Sequence, residues 1–120
     1  MIDVSTVERL GDKAKLALFV FTFVSQEHSV SQLRETMALA EDAHLGKVDA
    51  EALCRGFCDA RVLSRENKHY YGSDHSYRLV DKFAPMALAR LLEISIERNW
   101  WTIFGYDDTT SHAQSQDADE

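Results

Sequence analysis

The sequence predicts a mainly helical α+β domain with one β-hairpin near residues 62–80 and an acidic C-terminal tail. Three observations predict this. Gly and Pro number only 6 of 120 residues, too few for the turns of an all-β fold. Two capping-box patterns and several amphipathic stretches mark helices. Residues 75–80 alternate in polarity over the length of a strand. With 45% apolar and 28% charged residues, the composition is that of an ordinary globular chain. A chain of 120 residues leaves room for one domain with a real core and little more. That domain is expected over residues 1–106, with 107–120 a disordered tail.

Ser5-Thr6-Val7-Glu8 places a hydroxyl at a cap position and a carboxylate three residues on, so a helix is expected to open there. Gly11-Asp12 is a weak point or a restart. Leu16–Val24 is apolar on every side and would suit a buried strand or a core helix. Helix is chosen because Lys13–Leu18 favours it and no turn signal intervenes before Ser25. Ser29-Val30-Ser31-Gln32 is a second capping box, opening a helix to about His44 with Leu33, Met37 and Ala40 on one face. Gly46 stops it, and Asp49 is expected to cap a third helix running to about Arg61. That helix buries Ala50, Leu53, Phe57 and Ala60, while Glu51, Arg55, Cys58 and Asp59 point away. Two short helices around a glycine turn form a helix-turn-helix pattern.

Val62–Glu66 then reads as a strand, Asn67–Asp74 as a polar tip, and His75–Val80 as the returning strand. Pro85 suits the first turn of a fourth helix, expected to run through Trp100 or Trp101. Its polar face of Arg90, Glu93 and Glu97 is narrow, so two apolar sides need cover.

Leu53 and Phe57 on the third helix, Ala60-Arg61-Val62-Leu63-Ser64-Arg65 after it, and Tyr77-Arg78-Leu79 beyond the loop resemble the winged helix-turn-helix superfamily. The likeness covers about residues 12–82 and is one of element order. It implies that the third helix enters the major groove of double-stranded DNA while the wing touches the backbone. On that reading Arg55 reads bases, because a guanidinium grips guanine with two hydrogen bonds. Lys47, Arg65, Lys68 and Arg78 hold phosphates, with His69 or Tyr71 against a groove wall. The expected function is a small DNA-binding transcriptional regulator. The alternative is a protein-interaction winged helix, an accessory subunit or inhibitor of a larger complex, because Asp49, Glu51 and Asp59 share the third helix.

The net charge of −7 argues against nucleic acid only until it is located. Asp107, Asp108, Asp117, Asp119 and Glu120 place −5 in the tail, whereas residues 55–82 carry +2. Phosphate binding follows the local field. The tail is read as a solubilising extension, or as a competitor with DNA for that surface.

Cys54 and Cys58, with His69 and His75, lack the knuckle spacing of a zinc finger and are read as structural, so neither metal nor cofactor is expected. No Gly-x-Ser-x-Gly, phosphate-cradling glycine loop or His-Glu-x-x-His occurs, so an enzyme is not expected. His28, His44 and His112 are expected to be solvated. Leu88, Leu91, Leu92, Trp100 and Trp101 are expected at a homodimer contact, with the aromatics also packing on the first helix. Leu16–Val24 is too short to span a bilayer, and the free thiols suit a cytoplasmic protein.

Overall fold

A computed structural model describes residues 1–40, 45–70 and 74–105, without the side chains of residues 67–70 and 74. The elements run α1 (Val4–Arg9), α2 (Asp12–Phe19), a π-helical turn (Val20–Val24), β1 (Glu27–Ser29), α3 (Val30–Ala40) and α4 (Lys47–Asp59). Then come β2 (Leu63–Tyr70), β3 (Asp74–Leu79), α5 (Pro85–Glu97) and a 3-10 turn (Trp100–Phe104). Among the described residues the architecture is α+β and mainly helical, with an antiparallel sheet of order β1-β3-β2.

Asp3, rather than Ser5, caps α1. Its carboxylate accepts from the Thr6 backbone N–H at 2.8 Å and from the Ser5 and Thr6 hydroxyls at 3.0 and 2.8 Å. A negative charge outcompetes a hydroxyl at the positive end of a helix. The weak point at Gly11-Asp12 is a restart, with Gly11 capping α2. Leu16–Phe21 are then fully buried, as a central core helix requires. The apolar run is helical, but its last turn widens. The Ser25 N–H donates five residues back to the Val20 carbonyl at 3.2 Å.

The single hairpin expected from sequence is corrected to three strands. Glu27, His28 and Ser29 pair with Arg78, Tyr77 and Ser76, which makes β3 the central strand. Ser29 leads directly into α3 through the anticipated capping box. Its N–H donates to Gln32 Oε1 at 2.9 Å, and the Gln32 N–H donates to Ser29 Oγ at 3.1 Å. Leu33 and Met37 are buried on α3. The expected extension from Ala40 to His44 lies outside the described residues.

Gly46, rather than Asp49, occupies the cap position of α4, and Asp49 falls in the first turn. A carboxylate there still complements the helix dipole. The buried stripe is Ala50, Cys54 and Phe57, with Leu53 half-buried and Ala60 exposed. The helix therefore sits rotated toward Cys54 from its expected orientation. It ends two residues before the expected Arg61, which instead adopts a left-handed φ of 63°. This lets the Val62 N–H reach the Phe57 carbonyl at 2.8 Å and closes the last turn. The chain passes straight into β2.

Pro85 stands at the start of α5, as its missing donor allows. The helix stops at Glu97, short of Trp100, because Asn99 turns left-handed at φ 58°. That turn directs Trp100 inward against Phe19, with ring centroids 5.5 Å apart. Arg90 pairs with Glu8, and Arg98 reaches Asp12 at 3.3 Å, so α5 is tied to α1 and α2.

Candidate nucleic-acid interface

Helix α4 presents its buried stripe to the core and its outer side to solvent. Val48, Ala52, Arg55 and Asp59 fall on that outer side and are exposed, as is Lys47 in the first turn. Glu51 precedes Arg55 by one helical turn, close enough to neighbour it on the surface. The outer face of α4 thus carries mixed charge.

The hairpin follows one residue pattern. Leu63 pairs with Leu79, Arg65 with Tyr77, Ser64 with Arg78 and Glu66 with Ser76. Directly opposed residues share a face, so Leu63, Arg65, Tyr77 and Leu79 lie on one side. Ser64, Glu66, Ser76 and Arg78 lie on the other. Tyr77 and Leu63 are buried toward the helices. Arg65, two residues further out on the same side, extends past the core edge and is exposed. Its Nη2 lies 2.9 Å from His75 Nε2. Arg78 is clamped on the opposite face, its Nε donating to Glu66 Oε1 at 2.7 Å.

Helix and hairpin meet around Tyr77. Burial pushes the Tyr77 hydroxyl up in pKa, and the neighbouring Cys54 and Arg65 act on it in opposite directions. The Cys58 thiol is likewise raised by burial and by Asp59, with Arg65 opposing. Arg65 therefore stands where the hairpin leaves the flank of α4. Of the predicted phosphate contacts, Lys47, Arg65 and Arg78 are exposed, and the Lys68 side chain lies outside the described residues. His69, Tyr71 and residues 107–120 lie outside them as well. Arg65 is exposed and hydrogen-bonded to the ring of His75, whereas Arg78 is held by the Glu66 carboxylate.

The two cysteines are free. Burial pushes the Cys54 thiol up to about 12, and Cys58 and Glu51 add to the rise. Neither thiol has the lowered pKa of a reactive cysteine. Among the described residues, no group of three His, Cys, Asp or Glu side chains is placed to hold a metal ion. No described helix is long and apolar enough to cross a membrane.

Sequence reasoning placed His28 in solvent, and the structure corrects this. His28 lies on β1 with 5% of its surface exposed, its ring edge-on to Phe21 at 5.1 Å. A strand of three residues leaves no periodic signal, so the reading had no element to bury it in.

The five side chains expected at a homodimer contact divide into three sets. Leu91 and Trp100 are fully buried in this chain's own core and offer nothing to a second copy, which corrects that expectation. Trp101 is half-buried against Phe19 and Phe23 at 5.4 Å from each, and its Nε1 donates to Ser95 Oγ at 2.8 Å. Leu88 and Leu92 are each 39% exposed, and with Ile96 they line one outer stripe of α5. The aromatics do pack over α2 and the π-helical turn, as anticipated.

No protein-family model, curated protein or solved structure matches the chain.

Proposed function

We propose that this chain is a small winged-helix transcriptional regulator that binds double-stranded DNA through α4 and the β2–β3 hairpin. The observation that carries this reading is the order of the elements. A helix pair, α3 and α4, runs directly into a hairpin whose return strand pairs with a short strand preceding the pair. That order sets an exposed helix face beside an extended ribbon, the geometry with which a winged helix straddles a groove and its backbone.

In this reading Arg55 projects from α4 to a guanine edge. Lys47 at the start of α4, and Arg65, Lys68 and Arg78 on the hairpin, take phosphates. Binding through few phosphate contacts is weak, and its salt dependence scales with their number. The outer stripe of α5, with Leu88, Leu92 and Ile96, pairs two copies so that two α4 helices address two half-sites.

A second reading rests on a specific observation, the Glu66–Arg78 pair together with Glu51 and Asp59 on α4. Those carboxylates suit a basic protein surface better than a phosphate backbone. Electrophoretic titration with mixed-sequence duplex separates the two. The regulator shifts duplex at about 50 mM salt and releases it at about 200 mM. Absence of any shift at the lower salt selects the protein-binding reading.

A further inference from the structure

A cavity of about 270 Å³ opens between the N-terminal helices and α4. Thr6, Leu10 and Ala14 form one wall, and Leu53, Phe57 and Val62 form most of the other. Gly56 and Ala60 complete the α4 side with little or no side chain. We propose that this cavity is a binding site for a small, uncharged, largely apolar molecule of bicyclic-aromatic size.

Size and chemistry set the class. An apolar cavity of roughly 150 Å³ takes benzene, so this volume accommodates roughly ten non-hydrogen atoms at ordinary packing density. The lining offers a single side-chain polar group, the Thr6 hydroxyl. That hydroxyl already donates to Asp3 Oδ1 at 2.8 Å, so toward a ligand it only accepts. The ligand therefore carries at most one donor aimed at Thr6. The Asp3 carboxylate beside it opposes an anion.

Gly56 leaves the α4 side of the cavity open. Glycine is the weakest helix former short of proline, yet it stands inside α4 in the 47–59 span. Packing does not demand it, because a Cβ built there meets no atom within 4 Å. Alanine there would strengthen the helix without touching the opposite wall, whereas a longer apolar side chain would compete for the cavity. Leaving it empty preserves an opening with apolar walls.

Occupancy would bridge α1–α2 to α4 and so fix how α4 is held. That this tunes duplex binding rests on the function proposed above, whereas ligand binding itself does not. The test accordingly contains no DNA. The full chain, labelled for methyl resonances, is titrated with indole and separately with indole-3-acetate. The expected result is saturable indole binding with a Kd of about a millimolar or tighter. The shifts should cluster on Leu10, Ala14, Leu53, Ala60 and Val62. Indole-3-acetate should bind at least about tenfold more weakly, and Gly56→Leu should weaken indole by a similar factor. Non-saturable shifts, shifts centred elsewhere, or equal binding of the acid would overturn the proposal. So would wild-type shifts at these methyls that depend on protein concentration without ligand, because a second copy would then be the occupant. If Gly56→Leu does not fold, the wild-type map and the acid comparison still decide.

Discussion

Glu66 and Arg78 face each other across the hairpin on the side away from the core, with Glu66 Oε1 accepting from Arg78 Nε at 2.7 Å. Glu66 pairs in register with Ser76, so its carboxylate reaches Arg78 diagonally along the same face. The Ser76 hydroxyl in turn donates to Glu27 Oε2 at 3.0 Å, which brings a second carboxylate to this face. The sheet thus carries its own anions on this face.

That pairing makes a prediction about DNA. Glu66→Gln frees Arg78 for a phosphate, so duplex affinity should rise, and the slope of log K against log salt should steepen by about one. Arg55→Ala should behave differently. It should lower affinity for a preferred sequence by about 1–3 kcal/mol and relax preference at one base pair. Fluorescence anisotropy across a salt series, using selected and scrambled duplexes, checks both.

Stability should fall on mild acidification through His28. Burial lowers its folded pKa from 6.5, against a smaller opposing effect from hydrogen bonds to the Val20 and Ser25 backbone. The unfolded chain therefore takes up the proton first. The stabilisation is fully present above pH 6.5 and is lost as pH falls from there through the lowered folded value. Nε2, buried without a hydrogen-bond partner, gives the added charge nothing to bind. Urea unfolding at about pH 7.5 and 5.5 should show a lower midpoint at the acidic value, with the difference much reduced in His28→Gln.

How much was readable in the residues follows from how far each signal extends along the chain. The Ser29–Gln32 box, the Pro85 start and the hairpin order rest on local chemistry spanning a few residues, and all appear in the structure. The misplaced caps at Ser5 and Asp49 share one cause, because a cap depends on which group reaches the first free N–H. Strand β1 and the burial of His28 depend on pairing with residues about 50 positions away, which no local window contains. The end of α5 turned on Asn99 adopting a left-handed conformation, to which asparagine is prone but not bound. As for the candidate site, Arg55 was read as pointing away from the core and is exposed, as are Lys47 and Arg65, but their net field was not readable. The Glu66 clamp on Arg78 is set by strand register, which sequence spacing left open.

The 3-10 turn after α5 and the outer stripe of α5 should respond oppositely to substitution. Trp100→Ala removes a fully buried indole packed on Phe19 of α2 and should cost about 3–5 kcal/mol of stability. Leu92→Glu alters the outer stripe, should change stability by no more than about 0.5 kcal/mol, and should leave the chain monomeric. Chemical unfolding measures the first effect and sedimentation velocity the second. A Leu92→Glu variant that keeps the wild-type mass would remove α5 from the proposed dimer.

Both thiols should be slow toward a disulfide reagent in the folded protein. Cys54 is fully buried with its thiol pushed up to about 12, so it should react only through opening of the structure. Cys58, half-buried and also raised, should react first. Stopped-flow thiol titration near pH 8, with and without denaturant, should show both sites becoming fast only on unfolding.

The most direct measurement is an amide chemical-shift map of the full chain titrated with a short mixed-sequence duplex at low salt. The account predicts shifts that track duplex concentration at Lys47, Glu51 and Arg55 on α4 and at Arg65 and Arg78 on the hairpin. Residues on α5 should stay still. A map without α4, or one that remains unchanged at saturating duplex, would contradict it.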